Sequence, residues 1–204
     1  MSKKQLLAQP SDANVIGRVT ASAFRDDPFN SWLFQGDRLR SYLFKLYAQY
    51  VYIPAGICHL TTIDSSADEV VGATMWIRSE DRQDLGTWPT LKLALRVLFT
   101  RGPLLLVKLM RVDAVMQRYH PKQPHFYLYT IGVLDSARGT GKGKQLLNEV
   151  LNECDENGIP GYLESTNPEN HDYYASFGFK TLEIIHPLKN SPPLELMWRE
   201  PLKG

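Results

Sequence analysis

The chain has little cysteine, little net charge and no long uninterrupted apolar run in its 204 residues. Cys58 and Cys154 are too few for a disulfide scaffold, so we expect them to be buried, reduced thiols. The first residues lack both a continuous apolar stretch and a small-residue cleavage site, so secretion is not expected. These shortages favour a cytoplasmic protein.

The chain also lacks an excess of charge of either sign. The chain has 23 basic and 22 acidic residues, a formal charge of +1, and no basic stripe. Neither nucleic acid nor an anionic membrane is therefore an expected partner. The most apolar segment, 91–110, is interrupted by four cations and by Gly102-Pro103, which predicts two amphipathic helices and no membrane span. Any anionic ligand must be held by a local site.

What the chain does contain is enough apolar material for a core, with 43% apolar and 11% aromatic residues. Because no repeat, low-complexity tract or linker is present, we expect residues 1–204 to form one domain. Periodicity in the first half predicts helices at about 12–24 and 37–52, strands at 57–63 and 69–78 joined by a turn at 64–68, and two helices within 89–119.

The second half predicts a long central strand at 125–134, a helix ending at Gly158, a strand at 159–165, a short helix at 168–178 and strands at 179–186 and 194–199. The helix has one apolar face, formed by Leu146, Leu147, Val150, Leu151 and Cys154. The step from strand through helix to strand implies a right-handed parallel crossover. The predicted fold is α/β (α+β), a mixed sheet with helices on both faces.

Between the central strand and this helix, residues 135–144 alternate glycine with basic and hydroxyl residues. Glycine leaves the backbone unobstructed, and amides at a helix start favour an anion through their N–H groups and the helix dipole. The cations Arg138, Lys142 and Lys144 can add charge-assisted bonds to phosphate oxygens. The segment predicts a phosphate cradle, and a flexible turn with solvated cations is the alternative.

A P-loop is the rival nucleotide-binding motif. Counting back from Gly143-Lys144 places Arg138 where its first glycine belongs, and Gln145 follows instead of Ser or Thr. Counting from Gly141-Lys142 places Ser136 at the glycine position. Both registers fail, so the segment is not a P-loop.

The same residues resemble a known family. Ile131-Gly132-Val133 followed by Arg138-x-x-Gly141-x-Gly143 is similar to the acyl-CoA-binding motif of the GNAT superfamily of N-acyltransferases. The resemblance extends over residues 120–180, and within the superfamily it is strongest to the puromycin N-acetyltransferases. The further matching segments are His120-Pro121-Lys122-x-Pro124, Tyr162-Leu163-Glu164-Ser165, Asn167-Pro168-x-Asn170, and Tyr173-Tyr174 before Phe177-Gly178-Phe179.

This resemblance implies a single-domain, mostly antiparallel sheet with a splayed central parallel strand pair, and acetyl-CoA as cosubstrate. The resemblance does not carry over an acceptor; we expect a small-molecule primary amine, with an amino acid or a protein terminus as alternatives, and a monomer or homodimer. The residues implied in cofactor binding are Ile131, Gly132, Val133, Arg138, Gly139, Thr140, Gly141, Lys142, Gly143, Asn167 and Asn170. For Gly132 the alternative is relief of crowding, and for Asn167 it is a helix cap.

Two residues are candidates for proton transfer. The resemblance places Tyr174 where a phenol protonates the departing thiolate, and a phenol stays protonated at neutral pH. Glu164 lies at the end of a short buried strand, and we expect it to act as base or to bind the amine. The alternatives are a core position for Tyr174, with Tyr173 exposed, and a structural salt bridge for Glu164.

The acceptor pocket is predicted from the loop 26–34, the helices within 88–119, and Trp76, Tyr127 and Tyr129. The histidines show no metal-ligand spacing, and we expect no metal site. A direct attack on the thioester is favoured over an acyl-cysteine intermediate. A CoA-binding sensor without turnover is the alternative function.

Overall fold

The computed structural model describes residues 6–34, 36–63 and 69–202; the predicted turn at 64–68 lies outside them. Seven strands form one sheet in the order β1-β2-β3-β4-β5-β7-β6, and β4–β5 is the parallel pair among the described strands. The strands are β1 Leu6–Leu7, β2 Ile57–Thr62, β3 Val70–Arg78, β4 Phe126–Val133, β5 Gly161–Ser165, β6 Lys180–Ile185 and β7 Leu194–Arg199. The predicted fold class is confirmed.

The helices are α1 Ala13–Ala23, α2 Pro28–Phe34, α3 Asp37–Tyr47, α4 Ile53–Ala55, α5 Thr87–Arg101, α6 Pro103–Tyr119, α7 Lys142–Asn157 and α8 His171–Ala175. A π-helical turn, Ala48–Tyr52, continues α3 through the segment predicted as one helix. Gly102 has φ +84° and separates α5 from α6, so the predicted break between two amphipathic helices is confirmed. Within the described ranges, no helix is both long and apolar enough to cross a membrane.

Helices cover both faces of the sheet because side chains alternate along each strand. Met75 and Ile77 of β3 pack in the core beneath α1 and α3, whereas Trp76 packs against α7. The predicted apolar face of α7 is fully buried there. Trp76 is 0% exposed on that face, so its predicted place in the acceptor pocket is wrong: its strand position directs it to the opposite side of the sheet.

The central strand contains a bulge at Tyr129. Met75 pairs with Thr130 and the next residue, Trp76, pairs with Leu128, so Tyr129 is an extra residue in β4. The bulge offsets the alternation, so that Leu128 and Ile131 both pack on the α7 side.

Gly132 then faces α1, where a Cβ would lie 2.9 Å from the Cβ of Ala23. The bulge is thus at Tyr129. The missing side chain of Gly132 relieves crowding against α1, and because Gly132 also lines the cavity its role in cofactor binding stays a prediction.

The parallel strands β4 and β5 diverge. They pair only from Phe126 with Gly161 to Leu128 with Leu163. Beyond that point β5 continues beside β7, while residues 129–133 of β4 have no partner strand on the β5 side. The predicted splayed pair is therefore present, and it leaves backbone groups of β4 open to a ligand.

Candidate active site

A cavity of about 1640 Å³ opens where β4 and β5 diverge. Residues from the unpaired half of β4, from the glycine-rich segment and from α8 line this cavity. Residues from α2, α3, α5 and α6 line it as well. One cavity therefore joins the predicted phosphate cradle to the predicted acceptor region.

The glycine-rich segment presents free amides to this cavity. Gly139 and Gly141 have φ +75° and +81°, a backbone conformation that favours glycine, and a Cβ at either position would meet nothing within 4 Å. The Gln145 amide donates to the Gly141 carbonyl at 3.0 Å. Before it, the amides of residues 139–144 donate to no group in the described part of the chain. Such a row of unpaired N–H groups at a helix start is able to bind an anion, so the predicted phosphate cradle has suitable donors.

Side chains hold this segment in place. The Arg138 guanidinium lies 3.1 Å from an Asp135 carboxylate oxygen and donates to the Ala23 carbonyl at 3.2 Å, which ties the segment to α1. The Thr140 hydroxyl donates to the Ala137 carbonyl at 2.6 Å. Lys142 is largely buried and lines the cavity. Arg138 is thus engaged by protein groups, whereas Lys142 adds positive charge beside the amides.

Asn167 and Asn170 line the cavity next to α8. The Asn167 side-chain oxygen accepts from the Glu169 amide at 3.1 Å, so Asn167 caps the short helical turn that leads into α8. The capping alternative for Asn167 accounts for this contact, and the cofactor roles of both asparagines stay predictions.

Tyr173 and Tyr174 are adjacent on α8 but differ in how far they are exposed. Tyr174 is buried, contacts Phe179 and lines the cavity, and burial raises the pKa of its hydroxyl above the usual value. Tyr173 is 37% exposed, and burial raises its pKa to about 12. A Cβ on Gly143 would lie 2.7 Å from the Tyr173 hydroxyl oxygen, so Tyr173 fits against the start of α7. Both phenols remain protonated at neutral pH, as a proton donor must.

The cavity wall near Tyr174 contains a buried carboxylate, Asp27. It caps α2 by accepting from the Asn30 amide at 2.7 Å, and it accepts from the Thr166 hydroxyl at 2.6 Å. Burial raises the pKa of Asp27, against these hydrogen bonds. The contact joins the predicted acceptor loop to the end of β5.

Glu164 lies on the cavity wall with its side chain 13% exposed. Its carboxylate accepts from the Tyr127 hydroxyl at 2.8 Å and from the Tyr162 hydroxyl at 3.2 Å. Two phenol donors thus hold the carboxylate in place on the cavity wall, within the same cavity as Tyr174. Burial is the main cause that raises the pKa of Tyr127 and Tyr162, and the neighbouring Glu164 carboxylate raises both further.

His120 lies next to Glu164, and His125 lies next to His120. The Nδ1 atom of His120 lies 3.7 Å from a Glu164 carboxylate oxygen, and its Nε2 atom lies 3.2 Å from Nε2 of His125. Sequence reasoning did not connect these residues with Glu164. The two histidines flank the segment that contains Pro121 and Pro124, which was a signal, but the pairing of β4 with β5 is what brings them to the carboxylate.

Aromatic rings form the cavity wall between Glu164 and the helices. The Tyr129 ring stacks on Tyr52 at 4.8 Å and contacts Tyr47 at 5.1 Å. Tyr127 and Tyr129 line the cavity as predicted, whereas Tyr47 and Tyr52 were missed because they fit the apolar stripe of an ordinary helix. Asp84 and Asp113 lie near Tyr47 and also line the cavity.

The thiols lie outside this arrangement. Cys58 and Cys154 are free and buried, and burial raises the pKa of each to about 12. Neither lines the cavity. Among the described residues, no group of three or more His, Cys, Asp and Glu side chains has an arrangement that could hold a metal ion. The expectation of no metal stays a prediction.

The fold is a mixed sheet with a splayed parallel pair and an amide row beside it, and comparison with known proteins gives the family. The pattern of the acetyltransferase (GNAT) family matches residues 21–179, so the chain belongs to that family. A crystal structure of histone acetyltransferase HPA2 and related acetyltransferase from Corynebacterium glutamicum is 31% identical; the alignment covers 100% of this chain and 99% of that one, with a TM-score of 0.72.

Two curated relatives are similar over shorter segments. An uncharacterized N-acetyltransferase of Schizosaccharomyces pombe is 37% identical over 78 residues, which are 37% of this chain and 32% of that protein. N-alpha-acetyltransferase 50 of Danio rerio is 38% identical over 72 residues, which are 33% of this chain and 41% of that protein. The chain thus matches only about a third of their length. The likeness to puromycin N-acetyltransferases stays a prediction.

Proposed function

We propose that the protein transfers an acetyl group from acetyl-CoA to a small primary amine by direct attack. The observation that carries the proposal is the single cavity, which connects the free amides of residues 139–144 to Glu164 and Tyr174 along the unpaired half of β4. The diphosphate of CoA fits the amide row, and the open backbone of residues 129–133 lies where the acyl-bearing arm would extend.

Glu164 and Tyr174 each carry out one of the two proton transfers that the reaction needs. Glu164 removes a proton from the bound ammonium, since an ammonium has no lone pair with which to attack. Backbone amides of β4 beyond the bulge polarise the acyl carbonyl. Tyr174 donates its proton to sulfur as the C–N bond forms and the C–S bond breaks. The buried thiols take no part, since their raised pKa values keep them protonated.

The acceptor region supports a compact, lipophilic amine. Apolar side chains of α2, α3, α5 and α6 enclose it, and aromatic rings with nearby carboxylates attract a cation. Asp84 and Asp113 line the cavity near Tyr47, whereas Lys142 and Lys144 belong to the start of α7. Acidic and basic groups thus come from different segments of the cavity wall, which suits a cationic amine and an anionic diphosphate in one cavity. Enclosure by four helices favours a small molecule over a polypeptide terminus.

The test is release of free CoA from acetyl-CoA across a panel of primary amines that includes aromatic amines, aminonucleosides, amino acids and short peptides. We expect turnover with compact aromatic or lipophilic amines and little with peptides. Preference for peptide N-termini would overturn the acceptor class. Binding of acetyl-CoA without CoA release from any amine would favour the CoA-binding sensor.

A further inference from the structure

The hydrogen bonds of His125 fix the proton positions in the pair of histidines behind Glu164. Its Nδ1 atom lies 2.7 Å from the Gln123 carbonyl oxygen, which can only accept, so Nδ1 carries a hydrogen. Burial lowers the pKa of His125 to about 4, so the ring is neutral and its Nε2 atom is an acceptor. The His120 Nε2 atom at 3.2 Å must therefore be the donor.

A neutral His120 is then left with a bare Nδ1 atom. That atom is buried, has no hydrogen-bond partner in the described part of the chain, and lies 3.7 Å from the Glu164 carboxylate oxygen. An unsatisfied buried acceptor facing a carboxylate is unfavourable. A single added proton, on Nδ1 or on the carboxylate, removes the conflict.

We propose that His120 is a proton-holding partner of Glu164: the pair takes up the proton that the acceptor amine must lose, with His125 fixing His120 in the orientation that receives it. The inference rests on the proposed acetyl transfer, which needs a base, but the pairing itself is independent of turnover. His120 acts through Glu164 and is a positioning residue.

Several described groups around this pair act on the proton. From β4 and β5, the Tyr127 and Tyr162 hydroxyls donate to Glu164, and the Tyr129 hydroxyl is kept protonated because burial raises its pKa. The Arg82 guanidinium lies 5.7 Å from the Tyr127 ring centre and opposes a further positive charge. The Tyr52 hydroxyl is protonated, because burial raises its pKa. Glu164 is thus the negative charge that favours a proton on His120.

With one proton held by the Glu164–His120 pair, the protons of the reaction balance. The substrate ammonium gives one proton to the Glu164–His120 pair and becomes a nucleophile. Its nitrogen forms the C–N bond, the C–S bond breaks, and Tyr174 protonates the thiolate. The nitrogen then loses a second proton, which restores Tyr174, and the stored proton leaves to solvent when the products depart. Amide, free thiol and one released proton are the result.

The first experiment needs no turnover. Nitrogen-15 histidine NMR of the wild type and Glu164→Gln would follow protonation of His120 with pH. We expect the midpoint of the His120 titration to fall by about one pH unit or more in Glu164→Gln, because the carboxylate charge is gone. A midpoint that does not move would overturn the pairing, even if the enzyme is active.

The second experiment uses kinetics with an amine that turns over. His120→Phe keeps the ring that contacts Tyr127 and Tyr162 edge to face, at 4.9 and 5.2 Å, and removes both nitrogens. We expect kcat to fall about tenfold or more with little change in the KM of the amine. The acid limb of the pH profile should move to lower pH, because Glu164 alone is harder to protonate than the pair.

His186→Asn is the matched control, since His186 is exposed and bonds to the Ser191 carbonyl away from the cavity. A lower rate with an unmoved acid limb would assign His120 a structural role only. If His120→Phe does not fold, His120→Asn and the NMR titration carry the test. Absence of turnover in the wild type would contradict the proposed function and leave the NMR result to decide the pairing.

Discussion

At the scale of single residues, environment decides which of two adjacent tyrosines can act as acid. Both lie on α8, yet Tyr174 is buried beside Phe179 while Tyr173 is partly exposed against Gly143. The Tyr174 pKa is raised by burial first and then by Tyr173 and Asp27. Its hydroxyl is thus held protonated in a water-poor part of the cavity, which suits transfer to a developing thiolate.

We therefore predict that Tyr174→Phe lowers kcat about 100-fold with little change in KM, because only the proton on the hydroxyl is lost. Steady-state kinetics and thermal unfolding would be measured together, and the melting temperature should change little. Tyr173→Phe is the matched comparison and should lose less. The reverse order of losses would transfer the acid role to Tyr173.

Residue chemistry could be read from sequence where the signal is local. The glycine alternation predicted the amide row, and the isolated cysteines predicted buried thiols. The roles of Gly132 and Trp76 could not be read this way. The first depends on how closely α1 crosses β4, and the second on which face each β3 residue occupies. Both are set by packing between distant segments.

At the scale of elements, an ion pair joins the end of α7 to β7. The Arg199 guanidinium, 3% exposed, donates to both oxygens of Asp155 at 2.7 Å. It also donates to the Phe177 carbonyl at 2.8 Å, and the Leu202 amide donates to Asp155 at 2.7 Å. This pair fixes the helix that carries the amide row against β7, the strand between β5 and β6.

We predict that Asp155→Asn lowers the free energy of unfolding by about 2 kcal/mol at neutral pH, because it leaves a buried guanidinium without its partner. Hydrogen bonds from Arg199 are the main cause that lowers the Asp155 pKa below its usual value. The stabilisation is therefore fully present above about pH 4 and is lost as pH falls through the folded-state pKa.

Denaturant unfolding of wild type and Asp155→Asn at several pH values would measure this. The difference should be constant near neutrality and shrink in acid. Glu156→Gln, at the exposed neighbouring position, is the control and should change stability little. A difference that stays the same into strong acid would contradict the assigned ion pair.

Most element types were predictable, because apolar periodicity and glycine or proline boundaries are local signals. The apolar face of α7 and the parallel crossover follow from residues close in sequence. The π-helical turn Ala48–Tyr52 and the bulge at Tyr129 do not, since a one-residue insertion leaves little trace in composition. Both nonetheless shape the aromatic wall of the cavity.

At the scale of the whole molecule, the cavity depends on one divergence in the sheet. Because β4 and β5 separate after Leu128, the start of α7 and the end of β5 face a common space, and α2, α3, α5 and α6 close it on the other side. The sequence predicted most of the segments that line this space. It did not predict the distances between them or the enclosure by helices, because both depend on the three-dimensional fold.

The central claim is that the amide row at the start of α7 holds the diphosphate of CoA. It is tested by calorimetric titration of CoA into wild type, Gly141→Ala and Gly158→Ala. The two glycines sit at opposite ends of α7 with φ +81° and +65°, and a Cβ at either would meet nothing within 4 Å. Each alanine should therefore cost about 1 kcal/mol of stability from backbone strain alone.

Of these two glycines, Gly141 lines the cavity and Gly158 does not. We predict that the wild type binds one CoA and that Gly158→Ala binds it equally well. Gly141→Ala should bind CoA about tenfold more weakly. No binding to the wild type, or equal affinity in all three proteins, would contradict the account.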